Sequence, residues 1–282
     1  MKIEIKFIVG LVVGLNMNLA LAGSQQLDTN LTLQHTSNVG LAEGSKDIFS
    51  DNVVSVSTLL SQDYRPNPLS SLKLKAKVQH DEFARFNDLS HTIVGLGAQY
   101  KIQPVIGYYQ PWMSLGLSAE QHFFRNSDIR EGSLYVLDMS LHKRLGEQLV
   151  SQVGLAYERR FADENDVFEW VRNRVFIAGQ YQWQSDLSLQ ARYQYQRGDQ
   201  VFVATKSPTF KNVAEAIADD ATFGARRAYR LNAHANDVSL GLIYKYDSFN
   251  KLVVELQYAK IGATGNHQYD VTQTFLSWLH RF

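Results

Sequence analysis

The chain reads as an all-β protein: a transmembrane, antiparallel, up-and-down β-barrel of about twelve strands. Three observations carry this reading. Segments of strict two-residue alternation recur along the whole chain, as on strands whose successive side chains point to opposite faces. Beyond the N-terminus, no stretch approaches the ~20 apolar residues that a spanning helix needs. Tyr and Trp gather where the alternating segments end (Tyr157, Tyr181, Trp183, Tyr193, Tyr195, Tyr244, Tyr246 and Tyr258), at the level where an aromatic girdle meets lipid headgroups.

The elements follow in order. Lys2 and Lys6 precede the apolar run 7–15, and Ala20-Leu21-Ala22 is a small-x-small cleavage box before Gly23. Residues 1–22 therefore read as a secretory signal peptide, and 23–282 as a single barrel domain. The alternation places strands near 26–35, 52–60, 71–80, 91–102, 112–124 and 134–143 in the first half. The second half supplies 152–158, 170–184, 187–196, 238–246, 252–258 and 268–282. The ninth is the cleanest: Leu187, Leu189, Ala191, Tyr193 and Tyr195 oppose Ser188, Gln190, Arg192, Gln194 and Gln196.

Connections after the second, sixth, eighth and tenth strands read as compact. Those after the first, seventh, ninth and eleventh read as longer and polar. That asymmetry predicts short periplasmic turns, longer outer loops and both termini in the periplasm. The longest connection, 197–236, predicts a short helix over 212–221, since it is Ala-rich with Val213 and Ile217 four apart.

Composition excludes several functions. Lys+Arg and Asp+Glu both number 28, with no basic run, so nucleic acid is not an expected partner. There is no cysteine, hence no disulfide and no thiolate chemistry. Gly-rich phosphate loops, His-Glu-x-x-His and Gly-x-Ser-x-Gly are missing, and neither a cofactor nor a metal is expected. The acidic groups around His80, Asp81, Glu82 and Asp88, and at Asp163, Glu164 and Asp166, lack the spacing of a calcium loop and read as solvated loops.

The inward face carries the main candidate site. Alternation places Lys73, Lys75, Lys77, Arg144, Arg160, Arg172, Arg174, Arg192, Lys245 and Arg281 there, with His142 and the acids Glu120, Asp138, Glu158 and Glu255. An excess of Lys and Arg in a narrow lumen lowers the barrier to negative solutes. The expected function is a narrow porin-like channel or surface component for small polar, preferentially anionic solutes, and not an enzyme. A non-conducting structural barrel is the bland alternative.

Three short segments carry resemblances. Thr36-Ser37-Asn38-Val39, the run 193–199 and a terminal Phe together resemble a family of uncharacterised proteobacterial outer-membrane barrels, which implies a fold and an outer-membrane location. The closing segment with Leu276, Trp278, His280 and Phe282 on one face resembles the final strand that the barrel assembly machinery recognises. His35-Thr36-Ser37-Asn38 is similar to the active-site strand of outer-membrane phospholipase A and of the lipopolysaccharide deacylase. That likeness implies Ser37 as nucleophile, His35 as base and Asn52 as orienting group, facing outer-leaflet acyl esters. Val39 stands where those families have Gly.

Overall fold

The structure, a computed structural model, describes residues 24–206 and 208–282. The signal peptide of the sequence reading lies outside the described residues. One sheet holds thirteen strands. In chain order these are β1 (Ser24–Thr36), β2 (Asp51–Asn67), β3 (Ser70–Phe83), β4 (His91–Ile102), β5 (Trp112–Phe124), β6 (Gly132–Arg144) and β7 (Leu149–Ala162). Then come β8 (Trp170–Gln182), β9 (Leu187–Thr205), the helix α1 (Pro208–Val213), β10 (Ala216–Asp220), β11 (Arg226–Lys245), β12 (Asn250–Ala263) and β13 (His267–Arg281).

Every strand but β10 is a stave of a closed antiparallel barrel. Neighbours in sequence are neighbours in space, β9 pairs with β11, and β13 closes on β1 from Asp28↔Arg281 to Thr36↔Gln273. Side chains reinforce the seam. Thr32 Oγ1 and Ser277 Oγ are 2.8 Å apart, Arg281 Nε donates to Asp28 at 3.0 Å, and the Phe282 amide reaches the Leu27 carbonyl at 2.9 Å. Closure leaves no edge of unpaired N–H and C=O groups, which a sheet in hydrocarbon requires.

The pleat sorts the side chains. Leu96 is 67% exposed, Leu117 59% and Leu240 57%, with apolar neighbours on every stave. A continuous exposed apolar belt of this kind has no place in water, whereas lipid solvates it. Tyr, Trp and Phe border the belt: Tyr100, Tyr181, Trp183, Tyr244 and Trp278 toward the termini, Phe123, Tyr135, Tyr157, Tyr193 and Tyr258 toward the other end. The alternate residues face the lumen and are mostly polar.

The two ends differ. At the terminus end, four of the five connections are tight turns, and 103–111 is the longer exception. At the other, loop end, β9 and β11 continue far beyond their neighbours. β8 stops pairing at Arg172↔Gly198, while β9 and β11 stay paired up to Thr205↔Arg226. Gly198 marks the departure: its φ is +142°, and a Cβ there would collide with the Val171 carbonyl oxygen, so a side chain is disfavoured on both counts.

Beyond that point consecutive residues are buried, Phe202, Val203 and Ala204 on one strand and Ala228 and Tyr229 on the other. Both faces of the hairpin are therefore covered. One face joins Phe210 of α1, Ile261, Tyr269 and Val271, with Leu41 packed against them. The other meets Leu89 and Phe223 in one cluster and Val167 and Phe168 in another. The hairpin lies across the mouth like a bolt, held by the β1–β2, β3–β4, β5–β6 and β7–β8 connections. It also touches the β12–β13 turn, where Thr264 N donates to Asn232 O at 3.0 Å.

This corrects two expectations. Residues 197–236 are mostly strand, not loop; only 206–225 connect β9 to β11. The helix expected over 212–221 is instead α1 ending at Val213, then β10 paired with β11 from Ala216↔Arg230 to Asp220↔Arg226. The Ala-rich composition had favoured helix, but Ile217 and Ala218 gain more by packing on the hairpin, and tertiary burial overrides propensity. The connection after the eleventh stave is also shorter than read, because β12 and β13 both extend to it.

Candidate functional site: the lumen and its two mouths

The inward residues of the middle staves form ion pairs. Lys77 Nζ lies 2.6 Å from Glu120, Lys73 lies 3.4 Å from Asp63, and Arg174 pairs with Glu158. Lys75 donates to Gln99 at 3.0 Å. Arg192 sits 3.9 Å above the Phe176 ring and donates to Gln194 at 3.1 Å. Arg172 donates to the Asp199 carbonyl at 2.8 Å and covers Trp170. Glu255 accepts from Gln190 at 2.8 Å. Asp138 lies flat over Gly116, where any Cβ would strike its carboxylate.

The charges thus fall on two walls. Lys73, Lys75 and Lys77 form a ladder on β3; Arg172, Arg174 and Arg192 line β8 and β9, five and six staves away in chain order. Between them on the β12–β13–β1–β2–β3 side lies a cavity of about 280 Å³ bordered by Asn30, Thr32, Ser55, Ser57, Gln79 and Ser277. Its lining is mostly amide and hydroxyl, with the Glu255 carboxylate, Val253 and Phe275 on the β12–β13 side.

Two groups of residues escape the sequence reading. Asp28, Asp63 and Asp237 join the lumen acids, since alternation places all three inward; Asp28 pairs with Arg281 and Asp237 accepts from Gln257. Lys101 and Lys251 were also missed, the latter because β12 starts at Asn250, earlier than the pattern suggests. At the terminus mouth, Trp112 stacks on His142 at 5.1 Å, Lys101 lies 4.8 Å over the indole and Arg144 4.3 Å over Tyr108.

The loop mouth holds a buried ion pair that no local pattern reveals, since its partners are far apart in sequence. Arg130, in the β5–β6 connection, pairs with the fully buried Asp220 at the end of β10. Its guanidinium also donates to Ser127 and Thr222 and lies 4.7 Å from the Phe168 centroid and 5.7 Å from that of Phe223. Arg160 donates to the Arg130 carbonyl. A second lock joins the first loop to the hairpin: Asp47 accepts from the Thr205 amide at 2.9 Å and from Arg226 Nε at 2.8 Å. Burial raises the Asp47 carboxyl, but the Thr205 and Arg226 hydrogen bonds outweigh that and leave its pKa below the ordinary carboxylate value.

On the outer surface, His35 Nδ1 and Asn52 Oδ1 are 2.9 Å apart across the β1–β2 pair. Ser37 lies beyond the end of β1. Its hydroxyl accepts from the Thr272 amide at 2.9 Å, and no hydrogen bond joins it to His35 among the described residues. His35 and Asn52 are thus brought together, and the Ser37 hydroxyl is engaged by the Thr272 amide. Of the acids expected in loops, Asp81 and Glu82 lie with His80 on β3 instead, because that strand runs on to Phe83: Glu82 pairs with Arg125 and His80 and the buried Asp81 with His91, while Asp88 accepts from Asn126. In the closing strand, Trp278 and His280 share Asn250 Oδ1 at 3.2 and 2.8 Å, and Leu276 and Phe282 are exposed.

No protein-family model matches the chain, and no curated protein matches it. Solved structures do. An outer-membrane channel from Pseudomonas putida F1 is similar with a TM-score of 0.62 at 12% identity, over 93% of this chain and 97% of that one. The NanC porin gives 0.49 at 10% identity, over 89% and 98%. The Salmonella typhi outer-membrane phospholipase, a dimer with bound calcium, gives 0.49 at 12% identity, over 90% of each chain. Together with closure between β1 and β13, the likeness to the Pseudomonas channel shows one thing: this chain has the twelve-stave fold of outer-membrane β-barrels.

Proposed function

We propose that the protein is an outer-membrane, porin-like channel for small polar solutes that favours anions. Its termini face the periplasm and its bolted mouth the exterior. The apolar belt and its two aromatic borders support the membrane location. One observation carries the selectivity: inward cations outnumber inward acids, and they stand on two separate walls of one polar lumen. Charged rings in a narrow passage favour counter-ions. The bolt hairpin holds conductance low by crossing the outer mouth. Leu276, Trp278, His280 and Phe282 supply the signal read by the assembly machinery.

The test is purified protein in planar bilayers under a potassium chloride gradient. A reversal potential of anion-preferring sign is expected, moving toward zero in Lys75→Gln/Arg192→Gln. Replacing 200–231 by Asn-Gly, which joins the paired Asp199 and Asn232 through a two-residue turn, should raise conductance several-fold. Membranes that stay silent with both proteins overturn the reading. The rival reading, a lipid-face serine hydrolase, rests on the His35–Asn52 hydrogen bond alone. Acyl-ester release that disappears in Ser37→Ala would establish it; no release from the unaltered protein removes it.

A further inference from the structure

The lumen cations are neutralised to different degrees. In the middle lumen Lys73, Lys77 and Arg174 are each matched by a carboxylate, and Lys75, Arg172 and Arg192 donate to neutral amide or carbonyl oxygens. At the mouth, Arg65, Lys101, Arg144, Lys245 and Lys251 form no ion pair among the described residues, and only Arg281 has one, with Asp28. These six stand on β2, β4, β6, β11, β12 and β13. They make two triads. Lys101 and Arg144 lie 4.8 and 5.8 Å from the same Trp112 ring, with Arg65 near them on β2; Arg281, on the neighbouring β13, stands with Lys245 and Lys251 and holds Asp28 beside them. Lys245 and Lys251 are direct cross-strand partners.

Like charges placed directly opposite on neighbouring strands are destabilising. Leaving these cations together, two of them directly opposite each other, gains nothing in stability. The acid nearest the second triad in sequence, Asp247, is occupied in its own turn, accepting from the amides of Phe249 and Asn250 at 2.7 Å. The aromatic surfaces of Trp112 and Tyr108 hold Lys101 and Arg144 in place without neutralising them.

We propose that the terminus mouth is a binding site for a multivalent anion, with the two triads as its opposing jaws. Arg65, Lys101 and Arg144 take one charged group and Lys245, Lys251 and Arg281 another. The ligand class is a small polyanion, phosphorylated or polycarboxylated, in preference to a halide: a single charge satisfies one jaw and leaves the other repelling itself. The site goes beyond the channel reading and does not require that the lumen conduct.

The test uses the full mature chain in neutral detergent, with tripolyphosphate as probe, titrated calorimetrically at low and at physiological salt. Binding is expected, with an affinity that falls as salt rises and a chloride competition too weak to displace it at equal concentration. Lys245→Gln/Lys251→Gln and, separately, Lys101→Gln/Arg144→Gln should each weaken it at least tenfold. Lys75→Gln, in the middle lumen, should leave it within twofold. Heat-modifiable gel migration reports whether each variant is folded.

Equal affinity in all folded variants, or loss in Lys75→Gln alone, overturns the site. So does an absence of measurable binding to the unaltered protein. Bilayers without current but with jaw-dependent binding would sink the channel and leave the site standing. Current without such binding would do the reverse.

Discussion

The two mouths of this barrel are built on opposite principles. At the loop end the charges that tie the connections to the hairpin are paired. Arg130 and Asp220 are buried together between aromatic rings, and Asp47 collects three donor groups from β9 and β11. At the terminus end cations stand side by side, held by aromatic faces, the Tyr108 hydroxyl and one carboxylate. The first arrangement is what stability requires, because an unpaired charge in a dry site is very costly. The second is tolerable only beside water. Charge balance therefore separates a part that must stay folded from a part that must bind.

Substitutions at the two ends should accordingly have opposite signs. The largest effect is expected from Asp220→Ala, which strands the Arg130 guanidinium among Phe168 and Phe223. Breaking a buried pair costs about 3–5 kcal/mol. Limited proteolysis should cut the hairpin between 206 and 225 much faster than in the unaltered protein, while the staves below stay resistant. A cutting rate unchanged by the substitution would show that the pair does not hold the bolt.

Gly198→Ala comes next, at about 1–3 kcal/mol for the disfavoured backbone region, with the carbonyl of Val171 in the way besides. Urea unfolding in detergent reads it. No change would mean that β9 can leave β8 by another route.

The Asp47 lock should respond to pH. Its carboxyl is held below its unfolded value, so the contribution is fully present above the unfolded pKa of about 4 and is lost as pH falls through the folded pKa. As pH falls below about 4 the unaltered protein should lose hairpin protection in hydrogen exchange. Asp47→Asn should be weaker at pH 7 and flatter over that fall; parallel profiles would dissociate Asp47 from the acid response.

The smallest effect has the reverse sign. Lys251→Gln relieves the Lys245 repulsion and should raise stability by about 0.2–1 kcal/mol, more at low salt than at high. A loss of stability at low salt would break the contrast between the mouths.

The barrel was legible because its rule is local. A stave must alternate, and a pattern such as 187–196 shows in the residues themselves. The lumen ladder at Lys73, Lys75 and Lys77 was legible for the same reason. Three things were not. The bolt could not be read, since Phe202, Val203 and Ala204 are buried on both faces and so do not alternate. The Arg130–Asp220 pair depends on two loops meeting across the mouth, and no spacing encodes that. The mouth cations Lys101 and Lys251 sit at strand ends, where alternation fades before the strand does. The His35, Ser37 and Asn52 trio shows the converse. Its spacing is suggestive, yet only His35 and Asn52 share a hydrogen bond, and Ser37, past the end of β1 at Thr36, accepts from Thr272 instead.

The Glu43–His267 contact, 2.6 Å, has a consequence for order in time. It ties the earliest loop of the chain to the last stave, beside Phe210 stacked at 4.2 Å on the same imidazole. Contacts of such sequence separation form late, after the intervening chain has lost its freedom. The door at the loop end can be shut only once the whole ring of staves is standing, so a nascent barrel passes through an interval in which it is walled but still unroofed.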